Sequence, residues 1–402
     1  MRPLLAIAAV ALWACGTGGS TETLPAHDPL GERPPIVHAP PRYLPPIEAP
    51  LPVCWGDRAW QPGFHQALRW EVVVETPTVF RVRVPVGRAG DLLRFAFRSG
   101  DGDAILHEAT VALAGEGGRL ASAPVPITFG GAAGFEAGPR ERVLSDPIPL
   151  PVAFREELYV SFEAEGHLAA GAIDLFPDSY ASTTARVDSK IVDERREHRA
   201  IALASILVHG RRGAAVVAIG DSITEAFVDG RDDYRRNWPQ ITEALTGIPV
   251  ANAAVSGQGL WGALHHLEEE VLALDGVTDC IVLLGTNDLG AVDEDELADD
   301  LAALYDALDG FCRVWAATLP PKDRPDVTDE MRRVRREVNE WIRGEAEVAG
   351  VIDFERVLAD PEDPDRWAEG LDEDGIHPSV EGQRRMGEEA ARFLEAHLLA
   401  DE

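Results

Sequence analysis

Basic residues, cysteines and long apolar runs are all scarce in this 402-residue chain. Thirty-seven Lys and Arg face 69 Asp and Glu, a formal net charge of −32. A surface that acidic repels phosphate backbones and anionic headgroups, which argues against nucleic acid as a partner and against membrane attachment through basic patches. Four cysteines are too few for a disulfide scaffold. No Cys-x-x-Cys or Cys/His spacing marks a zinc site, so no metal is expected. No run reaches the roughly 18 apolar residues of a membrane-spanning helix. Apolar residues still make up 45% of the chain, enough for real cores, and the length allows two or three domains at roughly 100–200 residues each.

Two N-terminal segments stand apart. Arg2 precedes an apolar run from Leu4 to Ala14, a length that suits the h-region of a signal peptide. The run stops at Leu12-Trp13-Ala14-Cys15 and turns Gly- and Ser-rich. That stop resembles a bacterial lipobox, which implies export, a signal over 1–15, lipidation at Cys15 and membrane contact through that anchor alone. Plain secretion with a chance cysteine is the alternative. Residues 25–52 then hold ten prolines, which favour polyproline II and cannot pack a core. We read 16–52 as a linker, either a stalk or a segment lying on the domain surface.

The rest of the chain has two rhythms. Over 53–200, short β-type runs recur: Trp70–Val74, Val79–Val84, Leu92–Phe97, Ile105–Ala112 and Leu158–Phe162, broken by turn signals such as Ser99-Gly100-Asp101-Gly102. This spacing predicts an all-β, sandwich-like domain. Its aromatics, Phe80, Phe95, Phe97, Tyr159 and Phe162, read as core strand residues rather than a sugar-stacking platform. Over 201–402, continuous apolar strands (Ala214–Gly220, Pro249–Ala254, Cys280–Gly285, Val314–Leu319, Val351–Phe354) alternate with helical stretches (Trp238–Thr246, Trp261–Leu274, Glu294–Leu308, Asp329–Ala346, Val380–Leu399). That alternation predicts a parallel sheet in an α/β fold, with ligands beyond the carboxyl ends of the strands.

Chemically useful groups follow those strand ends. Gly220-Asp221-Ser222-Ile223-Thr224 follows the first strand, Asn252-Ala253-Ala254-Val255-Ser256-Gly257 the second, and Gly285-Thr286-Asn287-Asp288 the third. Asp374-Gly375-Ile376-His377-Pro378 comes just before the last helix. A nucleophile, a base, an orienting carboxylate and oxyanion donors are the inventory of acyl transfer. The four segments, in this order, resemble the blocks of the SGNH (GDSL) hydrolase family over about half the chain. The resemblance implies a flavodoxin-like three-layer α/β/α domain and ester hydrolysis with no metal or organic cofactor. Carried over by position, Ser222 is the nucleophile, His377 the general base and Asp374 the residue orienting it. The oxyanion hole combines the N–H groups of Ser222 and Gly257 with the Asn287 amide. Asp221 and Asp288 are read as structural.

Further features were weighed on their own. Gly257-Gln-Gly259-Leu-Trp-Gly262 has the form GxGxxG but follows the second strand, and no acid closes the next one, so a dinucleotide site is not expected. His265-His266 with Glu268-Glu269-Glu270 reads as a solvated helix face rather than a metal site, and Asp293–Glu296 as acids at a helix start. Cys280 and Cys312 fall at the starts of neighbouring strands and form either a disulfide or two small buried thiols. The segments Pro126–Gly131, Leu144–Ile148 and Leu158–Ser161 are similar to a two-domain subset of the family with acetylxylan-type esterases. That looser resemblance implies a small-acyl ester, acetyl foremost, on an extracellular carbohydrate. A lipase or lysophospholipase, and an inactive surface binding lipoprotein, are the alternatives.

Overall fold

The computed structural model describes residues 36–38, 58–226 and 233–399. Cys15, most of the expected 16–52 linker and Cys54 lie outside the described residues.

The N-terminal domain is all-β. Five of its strands are β1 (Arg58–His65), β2 (Trp70–Val86), β3 (Gly90–Leu113), β4 (Glu156–Ala170) and β5 (Leu203–Arg211). Pairing is antiparallel, save where Ile36–His38 lies parallel to Gly134–Ala137. The two runs expected on either side of Ser99–Gly102 are one strand, β3, not a hairpin. The register against β4 jumps between Ser99 and Ala104, so the glycine pair serves a bulge rather than a turn. Before the bulge β3 pairs β5, and after it β4, so one strand passes from one sheet into the other. Both sheets close on a phenylalanine core in which Phe97 meets Phe129, Phe135 and Phe162 at centroid distances of 5.9, 6.3 and 5.3 Å. Phe80, Phe95, Phe97, Tyr159 and Phe162 are all at most 1% exposed, so none of them offers a ring to a ligand.

Strand β5 corrects the expected boundary at 200/201. Leu203–Arg211 pairs β1 and β3 and belongs to the β domain, so the crossing into the second domain comes after Arg211. Its apolar run resembles a buried parallel strand because it is buried on both sides, which period alone cannot distinguish.

The second domain is a five-stranded parallel sheet of β6 (Val216–Gly220), β7 (Val250–Asn252), β8 (Asp279–Leu283), β9 (Arg313–Ala317) and β10 (Gly350–Ile352), in the order β7-β6-β8-β9-β10. Helices α1 (Ser222–Glu225), α2 (Trp238–Thr246), α3 (Leu260–Leu267), α4 (Glu294–Leu308), α5 (Asp329–Gly344) and α6 (Val380–Leu394) connect and flank it. Helix α2 packs on α6, and α4 on α3 and α5. Right-handed crossovers leaving β6 in one direction and β7 in the other put these two groups on opposite faces, the flavodoxin-like arrangement. The chain reverses its winding between β6 and β8, so the crevice of this fold opens beyond Gly220 and Leu283, which sit side by side in register.

The domains share a buried seam. Gln66, just past β1, makes a parallel bridge to Asn252 at the end of β7, and Ala67 N–H donates to Asn252 O at 3.2 Å. Glu269 and Glu270, in the turn after α3, meet three arginines of the β domain. Arg69 grips both Glu270 oxygens at 2.8 Å, Arg98 reaches Glu269 at 3.1 Å, and Arg140 pairs Glu269. The acidic run expected on a solvated face is therefore largely interfacial: Glu270 is 2% exposed. A carboxylate that buried needs a partner for its oxygens, and the arginines supply it.

Cys280, on β8, and Cys312, just before β9, form a disulfide between neighbouring strands. It closes a loop with a sequence separation of 32, for which chain entropy alone suggests about 3–4 kcal/mol. Replacing both cysteines with alanine is expected to lower Tm by several degrees, and wild type in reducing buffer should follow. Equal melting midpoints for the two proteins in non-reducing buffer would contradict a stabilising bond.

Candidate active site

Gly220 ends β6 where a side chain has no room: a Cβ there would lie 2.2 Å from Thr224 Oγ1. The chain turns at once into α1. Asp221 caps that helix, its Oδ1 accepting the Ile223 N–H at 2.9 Å. Ser222 is the first helical residue and is 8% exposed. At a first helical position the backbone N–H has no partner within the helix. Among the described residues neither the Ser222 nor the Gly257 N–H donates a hydrogen bond.

His377 reaches Ser222 from the loop before α6. Asp374 Oδ1 accepts the N–H groups of Ile376 and His377 at 3.0 and 2.9 Å, which folds the loop around the carboxylate. The same carboxylate lies 3.0–3.1 Å from His377 Nδ1, and His377 Nε2 lies 2.9 Å from Ser222 Oγ. A proton on Nδ1 is the tautomer this carboxylate favours, leaving Nε2 to accept from the serine hydroxyl. Gly375, at φ +83°, packs so tightly that a Cβ would sit 2.4 Å from Asp323 O, and Asp323 N–H donates to Gly375 O at 2.7 Å. Partial burial would by itself push the Asp374 carboxyl up. The bonds from the His377 ring and N–H, and the imidazolium charge, instead hold it well below the ordinary carboxylate range.

Gly257 adopts φ +80°, and nothing lies within 4 Å of the position its Cβ would take. The Asn287 amide donates to Asp221 Oδ2 at 3.2 Å and to Gln258 O at 3.0 Å. Sequence reasoning thus names five residues that the fold gathers at three strand ends and one loop. Asn287, however, spends both amide hydrogens on protein acceptors. Asp221 is fully buried, and burial pushes its carboxyl up to about 6. Asp288 is likewise raised by burial, and accepts the Leu260 N–H at the start of α3.

Other residues of the site carried no sequence signal. Glu225 Oε2 accepts both the N–H and the hydroxyl of Ser256 at 2.6 Å. Lys322 donates to Thr286 O at 2.8 Å. Gln383, on α6, donates to Ile223 O at 2.9 Å and accepts the Trp238 N–H at 2.8 Å. These are long-range tertiary bonds, and only Gln258, inside the Gly257–Gly262 stretch, lay in a segment already singled out. His265 stacks on Trp261, and His266 bonds Arg140 and Glu269. Among the described residues no group of three or more His, Cys, Asp or Glu is arranged to hold a metal ion.

The depressed Asp374 pKa has a stability consequence. The folded state binds this proton less readily than the unfolded chain, so the contribution is present above the ordinary value of 3.8 and is lost as pH falls below it. Asp374→Asn should flatten part of the acid limb in urea-unfolding curves taken from pH 6 to pH 2. Superimposable limbs for variant and wild type would refute this.

Residues 218–385 match the model of the GDSL-like Lipase/Acylhydrolase family. No curated protein matches the chain. Among solved structures, a G-D-S-L family protein from Desulfitobacterium hafniense is 26% identical, covering 45% of this chain and 99% of its own, with a TM-score of 0.39. The lipase/acylhydrolase from Enterococcus faecalis is 22% identical over 46% of this chain and 97% of its own, with a TM-score of 0.38. A catalytic mutant of an acetylxylan esterase from Geobacillus stearothermophilus is 20% identical over 46% of this chain and 94% of its own, with a TM-score of 0.36. Beyond its β domain, this chain carries a GDSL-like Lipase/Acylhydrolase family domain over residues 218–385.

Proposed function

We propose that the chain hydrolyses small acyl esters, acetyl esters foremost, borne by a carbohydrate outside the cell. The observation that carries the esterase chemistry is the Ser222 Oγ–His377 Nε2 contact of 2.9 Å, backed by Asp374 on Nδ1 and flanked by two unspent N–H groups.

In this reading Ser222 Oγ attacks the ester carbonyl while His377 Nε2 takes its proton. The carbonyl oxygen becomes an oxyanion and receives the N–H groups of Ser222 and Gly257, with Asn287 as third donor once its longer bond, to Asp221, is released or shared. Collapse breaks the ester C–O bond, and His377 returns the proton to the leaving alkoxide. Water then repeats the cycle on the acyl-serine. Asp374 holds the imidazole in its tautomer and stabilises the imidazolium without taking the proton.

The polar character of the neighbouring loops supports a small acyl group and a hydroxylated leaving group. Asp221, Ser256, Gln258, Asn287, Asp288, Asp323 and Asp374 all stand on the loops that surround Ser222. A long acyl chain would want apolar side chains there. The β domain, with Phe80, Phe95, Phe97, Tyr159 and Phe162 in its core, is read as shaping the cleft rather than stacking sugars. Signal-like residues 1–14 and Cys15 support export and anchoring in the cell envelope.

Turnover of nitrophenyl acetate should exceed that of butyrate and octanoate, and acetylated xylan should release acetate. Ser222→Ala should abolish this by about 10³-fold or more, and Asp374→Asn should cost about 10²–10⁴ in kcat. Octanoate preferred over acetate would replace the carbohydrate reading with a lipase. Turnover unaffected by Ser222→Ala would overturn the mechanism. Separately, Cys15→Ser should shift the full chain from the membrane to the soluble fraction; an unchanged distribution would refute lipid anchoring at that residue.

A further inference from the structure

We propose that Arg69, a residue of the β domain, positions the oxyanion donors of the hydrolase domain by acting through Gln258. This role rests on the esterase reading of Ser222.

Gln258 is 7% exposed and adjoins Gly257. Each of its polar groups is engaged. Its side-chain Oε1 accepts from Arg69 Nη2 at 3.0 Å, its Nε2 donates to Gly220 O, and its backbone O accepts from Asn287 Nδ2 at 3.0 Å. The backbone of Gly220 leads through Asp221 to Ser222. One residue, through its side chain and its backbone together, therefore touches or adjoins all three donors of the hole.

The orientation of that amide is decided by chemistry. A guanidinium only donates and a carbonyl only accepts, so Oε1 must face Arg69 and Nε2 must face Gly220. Remove Arg69, and Oε1 loses its donor, leaving the bond to Gly220 O alone to hold the side chain in place. Arg69 is itself held rigid, since its Nε and Nη2 meet the two oxygens of Glu270 at 2.8 Å each and its side chain is 13% exposed. Gly257, at φ +80° with open space around its Cβ position, has no side chain to brace its own N–H, so the neighbouring residues must hold it. The start of the same loop is also held from the β domain. Gln66 bridges Asn252, and Gln66 Nε2 lies 3.5 Å from Glu225 Oε1, whose other oxygen holds Ser256. Segment Gln66–Arg69 thus braces the 253–258 loop at both ends.

Displacing oxyanion donors acts on the transition state rather than on substrate binding. Arg69→Met should lower kcat on nitrophenyl acetate by about tenfold to a hundredfold with KM within about twofold. Arg98→Met is the control: Arg98 meets Glu269 and Glu270 in the same clasp, and it should keep wild-type kcat. Gln258→Glu keeps an acceptor for Arg69 but has no donor for Gly220 O. It should lower kcat while Tm stays within a few degrees, which keeps the test open if Arg69→Met fails to fold. Wild-type kcat in both Arg69→Met and Gln258→Glu, or an equal loss in Arg98→Met, would overturn the role of Arg69 alone. Absence of Ser222-dependent turnover in the wild type would overturn the esterase reading and this role with it.

Discussion

The contact between Ser222 Oγ and His377 Nε2 joins residues 155 apart in the chain, and the chemistry assigned to this domain depends on its length staying near 2.9 Å. Neither partner is placed by its own side chain. Ser222 is set by a strand end that only glycine permits and by the Asp221 cap. His377 is set by a loop wound around Asp374 and pressed on Asp323. Between the two elements runs Gln383, fully buried, which bonds the α1 backbone from α6. A proton-transfer pair tolerates little slack, and these bonds remove it before any substrate arrives.

Charge in this acidic protein is distributed with the same logic. Most carboxylates are free to face water and keep the net charge high. The few that are buried each have a named partner or a raised pKa. Glu270 is paired with Arg69, and Glu225 is bonded to Ser256. Asp221 is raised to about 6 by burial, and it accepts from the Asn287 amide. The β domain contributes arginines to this arrangement, where Phe80, Phe95, Phe97, Tyr159 and Phe162 contribute only core.

Much of the hydrolase domain was legible in the sequence, because buried parallel strands and long amphipathic helices leave strong periodic marks. The ranges expected for α2 and α4 coincide with the observed Trp238–Thr246 and Glu294–Leu308. The β domain was legible in kind but not in detail. A bulge and a turn use the same residues, so Ser99–Gly102 read as a chain reversal while β3 runs through it. Leu203–Arg211 read as part of the α/β domain because the partner of an apolar strand is not written in the strand. The site followed the same division. Ser222, Gly257 and Asn287 lie just past strand ends, and Asp374 and His377 on the loop before the last helix, where chemistry can be sought. Arg69, Glu225 and Gln383 act across tertiary distance, and Glu268–Glu270 looked solvated because the three arginines facing that turn lie far back in the chain.

The central claim is that Ser222 is a nucleophile activated by His377. Incubation with a fluorophosphonate, followed by intact mass and peptide mapping, tests it without choosing a substrate. A single adduct on Ser222, absent after denaturation and strongly slowed in His377→Ala, is the predicted result. No adduct on folded protein, or labelling at Ser222 that is as fast without His377 as with it, would contradict the account.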